Sequence, residues 1–411
     1  MKKTALGAIF LTVFIDLIGI GMAIPVITPL LITSPDIFSA QTAYSTKTLV
    51  LGLLLASYPF FQFFGAPLLG ALSDRYGRKK ILILSLAGTA LGYILFAIGI
   101  MTNQLWLLFV SRSLDGFTGG NIATAMSVIS DVSDGTNKTK NFGMVGMAVG
   151  LGFILGPFIG GVLSNPEILS WFNNATPFWA AAALCVFNIL LLVFRFKETL
   201  HTTIHTKITA LTGFVNVVRA WKMINVRRVF LTIFLLTFGF TFFTQFFQVF
   251  LIERFNYSNA QIGNLFAYVG LWMAFTQGVI TRPIVARFAP DKIMSWAILG
   301  MMITFPLLLL PHTTAFLFTL IPLIAIFQGH IQPTSTTIIS NLAGPEAQGE
   351  VMGINQSVIS LAMIIPPIIS GWLASFSSSL PLIFASLVTG LAWLVFANHR
   401  KHQTPEQFHA A

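Results

Sequence analysis

Twelve apolar stretches run through the chain, near 5–32, 48–71, 81–101, 105–130, 141–164, 177–195, 228–252, 260–281, 292–311, 314–340, 349–374 and 379–398. Each approaches the roughly 20 residues that carry a helix across a bilayer. A soluble core of this length cannot hide so much apolar surface: 55% of residues are hydrophobic and 9% charged, against about 25% charged in soluble domains. Forty phenylalanines and thirty-three glycines suit helices that pack closely in lipid. The expectation is an all-α membrane protein with twelve transmembrane helices, and an even number places both termini on one side.

Lysine and arginine set the orientation. Lys2, Lys3, Arg75, Arg78, Lys79, Lys80, Lys138, Lys140, the cluster from Arg195 to Arg228, Arg282, Arg287, Lys292, Arg400 and Lys401 share one set of loops. The opposite loops hold Lys47 and Arg254. Both termini are therefore expected in the cytoplasm, in a multi-pass protein of a bacterial cytoplasmic (inner) membrane. The net charge of +10 is a topology signal, and nucleic acid is not an expected partner, because no soluble domain exists to present a basic face. The first stretch follows Met1-Lys-Lys-Thr, as in a secretion signal, but continues to about Ile32 without a small-x-small cleavage site, so it reads as the first span. The lone Cys185 lies in an apolar run, which excludes an internal disulfide framework and a cysteine metal cluster.

The longest polar stretch divides the chain near its midpoint. The expected organisation is a six-helix half over 1–195, a cytoplasmic linker over 196–226, a second six-helix half over 227–398 and a tail over 399–411. Within the linker, Leu211 to Trp221 is amphipathic and reads as a helix on the membrane surface. His201 and His205 are four residues apart, but nothing nearby completes a coordination shell, so no metal and no cofactor are expected. The halves repeat: Ala71 to Ile81 lines up with Pro283 to Ile293, setting Arg75 on Arg287 and Lys80 on Lys292. Phe142-Gly-Met-Val-Gly likewise matches Met352-Gly-Ile-Asn-Gln, and Pro157 matches Pro367. Both repeats begin on the same side, which implies parallel halves with a substrate site between them.

Charges inside spans are costly and usually functional. Asp16 lies in Phe14-Ile-Asp-Leu-Ile-Gly-Ile-Gly-Met-Ala-Ile-Pro25, and Arg112 and Asp115 lie three residues apart on one face of the fourth span. At 1.5 Å per residue, Asp115 is roughly 22 Å and Asp16 roughly 18 Å from the cytoplasmic helix ends, so the three can form one cluster that couples protons. The alternative is a neutral structural ion pair beside a lone hydrogen-bonding acid. The second half offers neutral polar groups: Gln245 and Gln248 on helix seven, Gln328, His330 and Gln332 on helix ten, and Asn355 and Gln356 on helix eleven. These, with Gln62 and Asn121, are candidate substrate contacts, and helix–helix bonding is the competing role for each. His330 can instead titrate. Phe240, Phe243, Phe246 and Phe247 are expected to form an aromatic wall.

Gly70-Ala-Leu-Ser-Asp74-Arg75-Tyr-Gly77-Arg78-Lys79-Lys80 resembles the signature between helices two and three of the major facilitator superfamily. Arg112-Ser-Leu-Asp-Gly116 resembles its helix-four arginine motif, and Gly152-Phe-Ile-Leu-Gly156-Pro157-Phe-Ile-Gly160-Gly161 resembles the antiporter motif of drug/proton exchangers. The resemblance covers nearly the whole chain and points to the tetracycline/proton antiporter group, with Asp16 to Pro25, Gln62 to Gly70 and Asp131 to Pro157 as further carriers. It implies the major facilitator fold, two parallel-repeat six-helix halves. The acid those exchangers carry in helix three aligns with Gly92, and helix nine, Trp296 to Pro306, has none. That points away from tetracycline itself and leaves Asp16 and Asp115 as the proton carriers.

The loop signature has the chemistry of a conformational latch. Asp74 can meet the positive end of helix eleven near residues 347–351, Arg78 can reach Asp131, and Gly77 permits the tight turn. Gly152, Gly156 and Gly160 form a small-residue stripe beside Pro157, suited to close packing or to a gate against leakage. The expected function is secondary active transport, proton-coupled efflux of a small organic compound by alternating access. The alternative is a carrier for a polar or anionic metabolite such as a polycarboxylate siderophore, with Arg112 and His330 as anion partners. No catalytic residues are expected, since neither a nucleophile with a base nor a His-Glu-x-x-His constellation is present. A channel fits poorly with a latch and a two-fold repeat. The expected partners are the small-molecule substrate, protons and the lipid bilayer, for a monomer.

Overall fold

The computed structural model describes residues 2–35, 37–39, 41–132, 138–200, 212–223 and 226–401. Among these residues there is no strand, as hydrocarbon demands: a backbone without water must bond internally, and a single segment does so only as a helix. In chain order the helices are α1 (Lys2–Ile32), α2 (Tyr44–Tyr76), α3 (Arg78–Met101), α4 (Leu105–Thr118), α5 (Asn121–Val132), α6 (Lys138–Leu163) and α7 (Thr176–Arg195). They continue as α8 (Thr212–Lys222), α9 (Arg227–Phe255), α10 (Asn259–Phe275), a π-helical turn (Thr276–Ile280), α11 (Thr281–Val285), α12 (Pro290–Leu307), α13 (Thr314–Ala374) and α14 (Leu380–Lys401).

All twelve expected stretches fall on helix. Eight helical segments among the described residues are long and apolar enough to cross a membrane. The other four stretches are interrupted, short or only partly described. The fourth breaks at Gly119–Gly120 between α4 and α5, and the eighth carries the π turn. The ninth is the 18-residue α12, and in the fifth, α6, part of the side chains lies outside the described set. One expectation changes. Stretches ten and eleven belong to a single 61-residue helix, α13, with no backbone break between them. At 1.5 Å per residue it is about 90 Å long, far beyond one hydrocarbon thickness. It accordingly holds two crossing-length windows, Thr314–Ile339 and Gly353–Ala374.

The chain divides into two compact units: Met1–Thr212 with Asn256–Gly270, and Gly213–Phe255 with Leu271–Ala411. In unit 1, α1 packs on α6 and α7, α3 on α4 and α7, and α2 on α4. Ile9, Val13, Leu17, Leu82, Leu86, Val128 and Leu192 make one core cluster there. In unit 2, α9 packs on α13 and α14, and α12 on both of these. Its core is phenylalanine-rich, with Phe242, Phe246, Phe247, Phe250 and Phe305 at most 1% exposed. The rings interlock, Phe243 lying 4.7 Å from Phe247 and 5.5 Å from Phe305. Lipid is as apolar as these side chains, so their association rests on packing rather than on escape from water. Phe194 and Trp296, 78% and 76% exposed, have the outward apolar character of helices that face lipid.

The segment between α7 and α9 is anchored at both described ends. Phe196 and Thr199 are buried in unit 1. In unit 2, Asn216 on α8 donates from Nδ2 to Ser357 Oγ on α13 at 3.1 Å. On α8, Gly213 and Ala220 are buried, while Phe214, Val215, Val218 and Trp221 are exposed. His201 and His205 lie outside the described residues.

Candidate functional site

The buried charges of unit 1 come together through helix spacing and glycine. Arg112 and Asp115, one turn apart on α4, pair at 2.9 Å from Nη1 to Oδ2. Both are buried, at 7% and 1% exposed. The guanidinium also lies over the Tyr58 ring of α2, 4.8 Å from its centroid, a cation–π contact strengthened by desolvation. Asp115 reaches α3 because Gly92 has no side chain: a methyl there would lie 3.1 Å from Asp115 Cβ. Ser111 Oγ donates to the Gly92 carbonyl at 2.7 Å and clamps this contact. The position aligned with the helix-three acid is thus packed against a carboxylate supplied by helix four.

Asp16 on α1 is 3% exposed. Asn121, at the start of α5, is likewise 3% exposed. Asp16, Arg112, Asp115 and Asn121 are thus all buried in unit 1, with Arg112 and Asp115 in direct contact. Asp115 Oδ1, Arg112 Nε and Asn121 Oδ1 have no hydrogen-bond partner among the described residues. One turn before Asp16, Thr12 Oγ1 donates to Asn188 Oδ1 of α7 at 2.9 Å. Asn188 Nδ2 returns a bond to the Thr12 carbonyl at 3.3 Å.

Helix α6 fixes α1 just beyond Asp16. A methyl on Gly156 would lie 2.7 Å from Gly21 Cα, and one on Gly152 would lie 2.6 Å from Leu17 Cβ. One on Gly160 would collide with the Met22 backbone. Pro157 Cδ also stands within 3.0 Å of a methyl built on Gly21. The opposite side of α6 receives the first part of α10: methyls on Gly161 and Gly263 would meet that partner backbone at 3.0 and 2.5 Å. Asn259 Nδ2 donates to Asn174 Oδ1 at 2.9 Å at the same end. The stripe is a two-sided contact, a feature that glycine spacing alone did not reveal.

The turn between α2 and α3 gathers a second charged cluster. Gly77 has φ +102°, a conformation that favours glycine. Arg78, 5% exposed, pairs with Asp74 and with Asp131 Oδ2 at 3.1 Å, and donates to Ser73 Oγ at 2.7 Å. Sequence reasoning missed Glu198. Its carboxylate accepts from the backbone N–H of Arg78 at 3.0 Å and of Lys79 at 3.1 Å. It also accepts from Thr199 and Leu200 N–H at 2.9 and 3.0 Å. An anion there satisfies the orphan donors of the α3 N-terminus and complements its dipole. A methyl on Gly77 would meet Glu198 Oε2 at 2.5 Å, so the glycine serves both turn and cap. Lys79 Nζ adds a bond to the Val193 carbonyl at 2.8 Å. The seat expected for Asp74 near residues 347–351 lies, for side chains 347–350, outside the described set.

The polar candidates separate by environment. Gln62 Nε2 is within 3.3 Å of both Tyr58 Oη and the Gly119 carbonyl, so its amide ties α2 to the end of α4. In unit 2, Gln248 is 4% exposed and its Oε1 has no partner among the described residues. Asn355 Oδ1 is likewise unpartnered. Gln245 and Gln328 are half-buried, and Gln332 and Gln356 exposed. His330, 4% exposed, contacts the Ile326 carbonyl through Nδ1 at 2.7 Å and Thr281 Oγ1 through Nε2 at 3.4 Å. The residues expected to form an aromatic wall make a ring cluster: Phe243, Phe246 and Phe247 are buried, and Phe243 packs on Phe240, Phe247 and Phe305. No group of His, Cys, Asp and Glu among the described residues is arranged to hold a metal.

Comparison with known proteins agrees with this geometry. The family model described as "Major Facilitator Superfamily" matches residues 9–288 and 230–410. The class C tetracycline resistance protein of Escherichia coli is 31% identical over 401 residues, covering 96% of this chain and 94% of the relative. Multidrug resistance protein 1 of Bacillus subtilis is 26% identical, with 95% of each chain covered. Among solved structures, the human organic anion transporter MFSD10 (TETRAN) superposes with TM-score 0.73 at 21% identity, covering 96% of this chain and 99% of that one. The chain, an all-α multi-pass membrane protein with buried charges in its first half, belongs to the major facilitator superfamily.

Proposed function

We propose that this protein is a secondary active transporter that exports a small, partly apolar organic compound in exchange for protons. The observation that carries the reading is the Asp16–Arg112–Asp115 cluster, buried inside apolar helices. Two carboxylates and one guanidinium carry one net negative charge, which a low-dielectric site tolerates poorly. A single proton neutralises the cluster. If it settles on Asp115, Arg112 loses its partner and turns toward Asp16; if on Asp16, the pair on α4 stays closed. Proton arrival and loss therefore alter contacts among α1, α4 and α2, the helices that carry Asp16, Arg112 and Tyr58. The Asp74–Arg78–Asp131 contacts act as the cytoplasmic latch in this reading, and the α6 stripe keeps the pathway from leaking. Similarity to tetracycline and multidrug resistance proteins supports a drug-like substrate. The siderophore alternative gains no support, since Arg112 is engaged by Asp115 and Tyr58 and His330 by its own helix. We place both termini in the cytoplasm of a bacterial inner membrane and assign a monomer without nucleic-acid partners.

The test uses proteoliposomes with an imposed pH gradient and a probe panel of tetracycline, ethidium and a quaternary ammonium dye. At least one probe should move against its gradient, with protons flowing the other way. Asp16→Asn should abolish that proton movement. Substrate-dependent proton flux that survives Asp16→Asn would overturn the assignment.

A further inference from the structure

We propose that α8 is a binding surface for anionic phospholipid, with its exposed apolar arc among the acyl chains and two basic residues on the headgroup phosphates. The inference stands apart from the Asp16 cluster and needs no assumption about the transported compound. At 3.6 residues per turn, successive side chains of α8 are about 100° apart, and the helix divides into arcs. Gly213 and Ala220 are buried and Asn216 and Val217 half-buried, all within about 100° of arc. From this arc Asn216 Nδ2 donates to Ser357 Oγ of α13. Next around the helix come Trp221, Phe214, Val218 and Val215, which are 62%, 44%, 53% and 46% exposed. They fill an arc about 120° wide, the width of an apolar stripe that amphipathic helices bury. Lys222 and Arg219, both exposed, flank Val215 at its edge, and α8 carries no Asp or Glu.

The place of α8 in unit 2 selects lipid as the cover for that arc. Ser357, its partner, lies one turn inside the crossing-length window Gly353–Ala374. At the other end, Arg227, the first residue of the crossing-length α9, donates its backbone N–H to the Met223 carbonyl at 2.7 Å. The span therefore starts where α8 stops, and Val226 in the connection is 3% exposed. The helix is held at the ends of two membrane spans, where hydrocarbon gives way to headgroups. With 11 residues it is too short to cross. A helix held there with an apolar arc turned outward lies in the interface plane. Trp221 suits that level, since its ring is apolar and its N–H polar.

Charge fixes the class of lipid. Arg219, Lys222, Arg227 and Arg228 fall within residues 219–228, with no acid among them. A zwitterionic surface would seat the apolar arc but offers these cations no net counter-charge. Each Lys or Arg near an anionic surface strengthens attachment roughly fivefold. The stems of Lys222 and Arg219 can lie along the apolar arc while their charged ends reach the phosphates.

Quenching of a site-specific label on the full chain tests the surface. Cys185 is the single cysteine, so Cys185→Ala provides a background for Val218→Cys, Phe214→Cys and, in an exposed loop, Glu167→Cys. Each is labelled with bimane in nanodiscs of phosphatidylcholine and phosphatidylglycerol in equal parts, with one lipid or the other brominated near the headgroup. Labels at 218 and 214 should be quenched by brominated lipid and shielded from aqueous acrylamide, and the label at 167 should behave oppositely. Brominated phosphatidylglycerol should associate at least roughly fivefold better than brominated phosphatidylcholine, the effect of one basic contact. Arg219→Gln with Lys222→Gln should remove that preference and leave quenching by phosphatidylcholine in place. Position 214 carries the test if a label at 218 disturbs the helix. Acrylamide quenching at both α8 positions would show the arc in water, and shielding from both quenchers would show a protein cover. Either result overturns the proposal, as does a missing preference for phosphatidylglycerol or one that survives the double variant.

Discussion

The two compact units bury different kinds of polarity. Unit 1 buries Asp16, Arg78, Arg112 and Asp115, whereas the described buried polar residues of unit 2 are hydroxyls, Gln248 and two histidines, with no Asp, Glu, Lys or Arg. A buried charge responds to a proton by several kcal/mol, while a buried amide does not respond at all. The contrast assigns proton-dependent energetics to the first half and leaves the second to hold polar groups in fixed neutral arrangements.

The largest expected effect breaks the ion pair. Asp115→Asn leaves Arg112 buried without its carboxylate and should cost roughly 3–5 kcal/mol in unfolding from detergent, whereas the double change Arg112→Met with Asp115→Leu should recover most of the loss. A single change that costs nothing would show that water reaches the pair and would dissolve the contrast. Next comes packing. Gly156→Val should destabilise by about 1–3 kcal/mol and lower proton flux, because its new atoms meet Gly21. Gly353→Ala in unit 2, with open space around it, should instead gain about 0.5–1 kcal/mol from helix propensity. Equal effects at the two sites, measured by thermal unfolding, would remove this distinction between the halves.

Smaller effects sharpen the comparison. Glu198→Ala should lose about 0.5–2 kcal/mol as the α3 donors fall back on water, and pulse proteolysis should show faster cleavage near residues 196–200. Gln248→Leu should leave stability within about 1 kcal/mol of wild type, because its Oε1 has no bond to lose. If probe binding by fluorescence quenching falls while stability holds, that amide is a substrate contact. If both are unchanged, the neutral polarity of unit 2 lies elsewhere.

The helices, the family and the buried acids were legible because their signals are local. Span length and motif spacing each fall within one window, and Asp16, Arg112 and Asp115 stand out as charges inside apolar runs. Partners from distant segments were not legible. Glu198 reads as one more charge in a polar linker, and Tyr58 as one more aromatic in an apolar run. Tyr58 carried one faint signal, its position one turn before Gln62. Phe243, Phe246 and Phe247 look identical in sequence whether they line a pathway or fill a core, and only neighbouring helices decide. The uninterrupted backbone of α13 was hidden by polar residues between its apolar windows, although Glu346 and Gln348 among them, and Ala347 between these two, are good helix formers.

The Glu198 cap has a consequence for how the chain is made. The α3 donors and the carboxylate that satisfies them are 120 positions apart. At ordinary elongation rates that gap corresponds to roughly 6–24 s of synthesis. During that interval the signature turn emerges and meets the membrane with its helix end open. The cap can close only after the chain has been made as far as residue 198. The contact therefore dates from the end of the first unit's synthesis, not from the moment α3 is made.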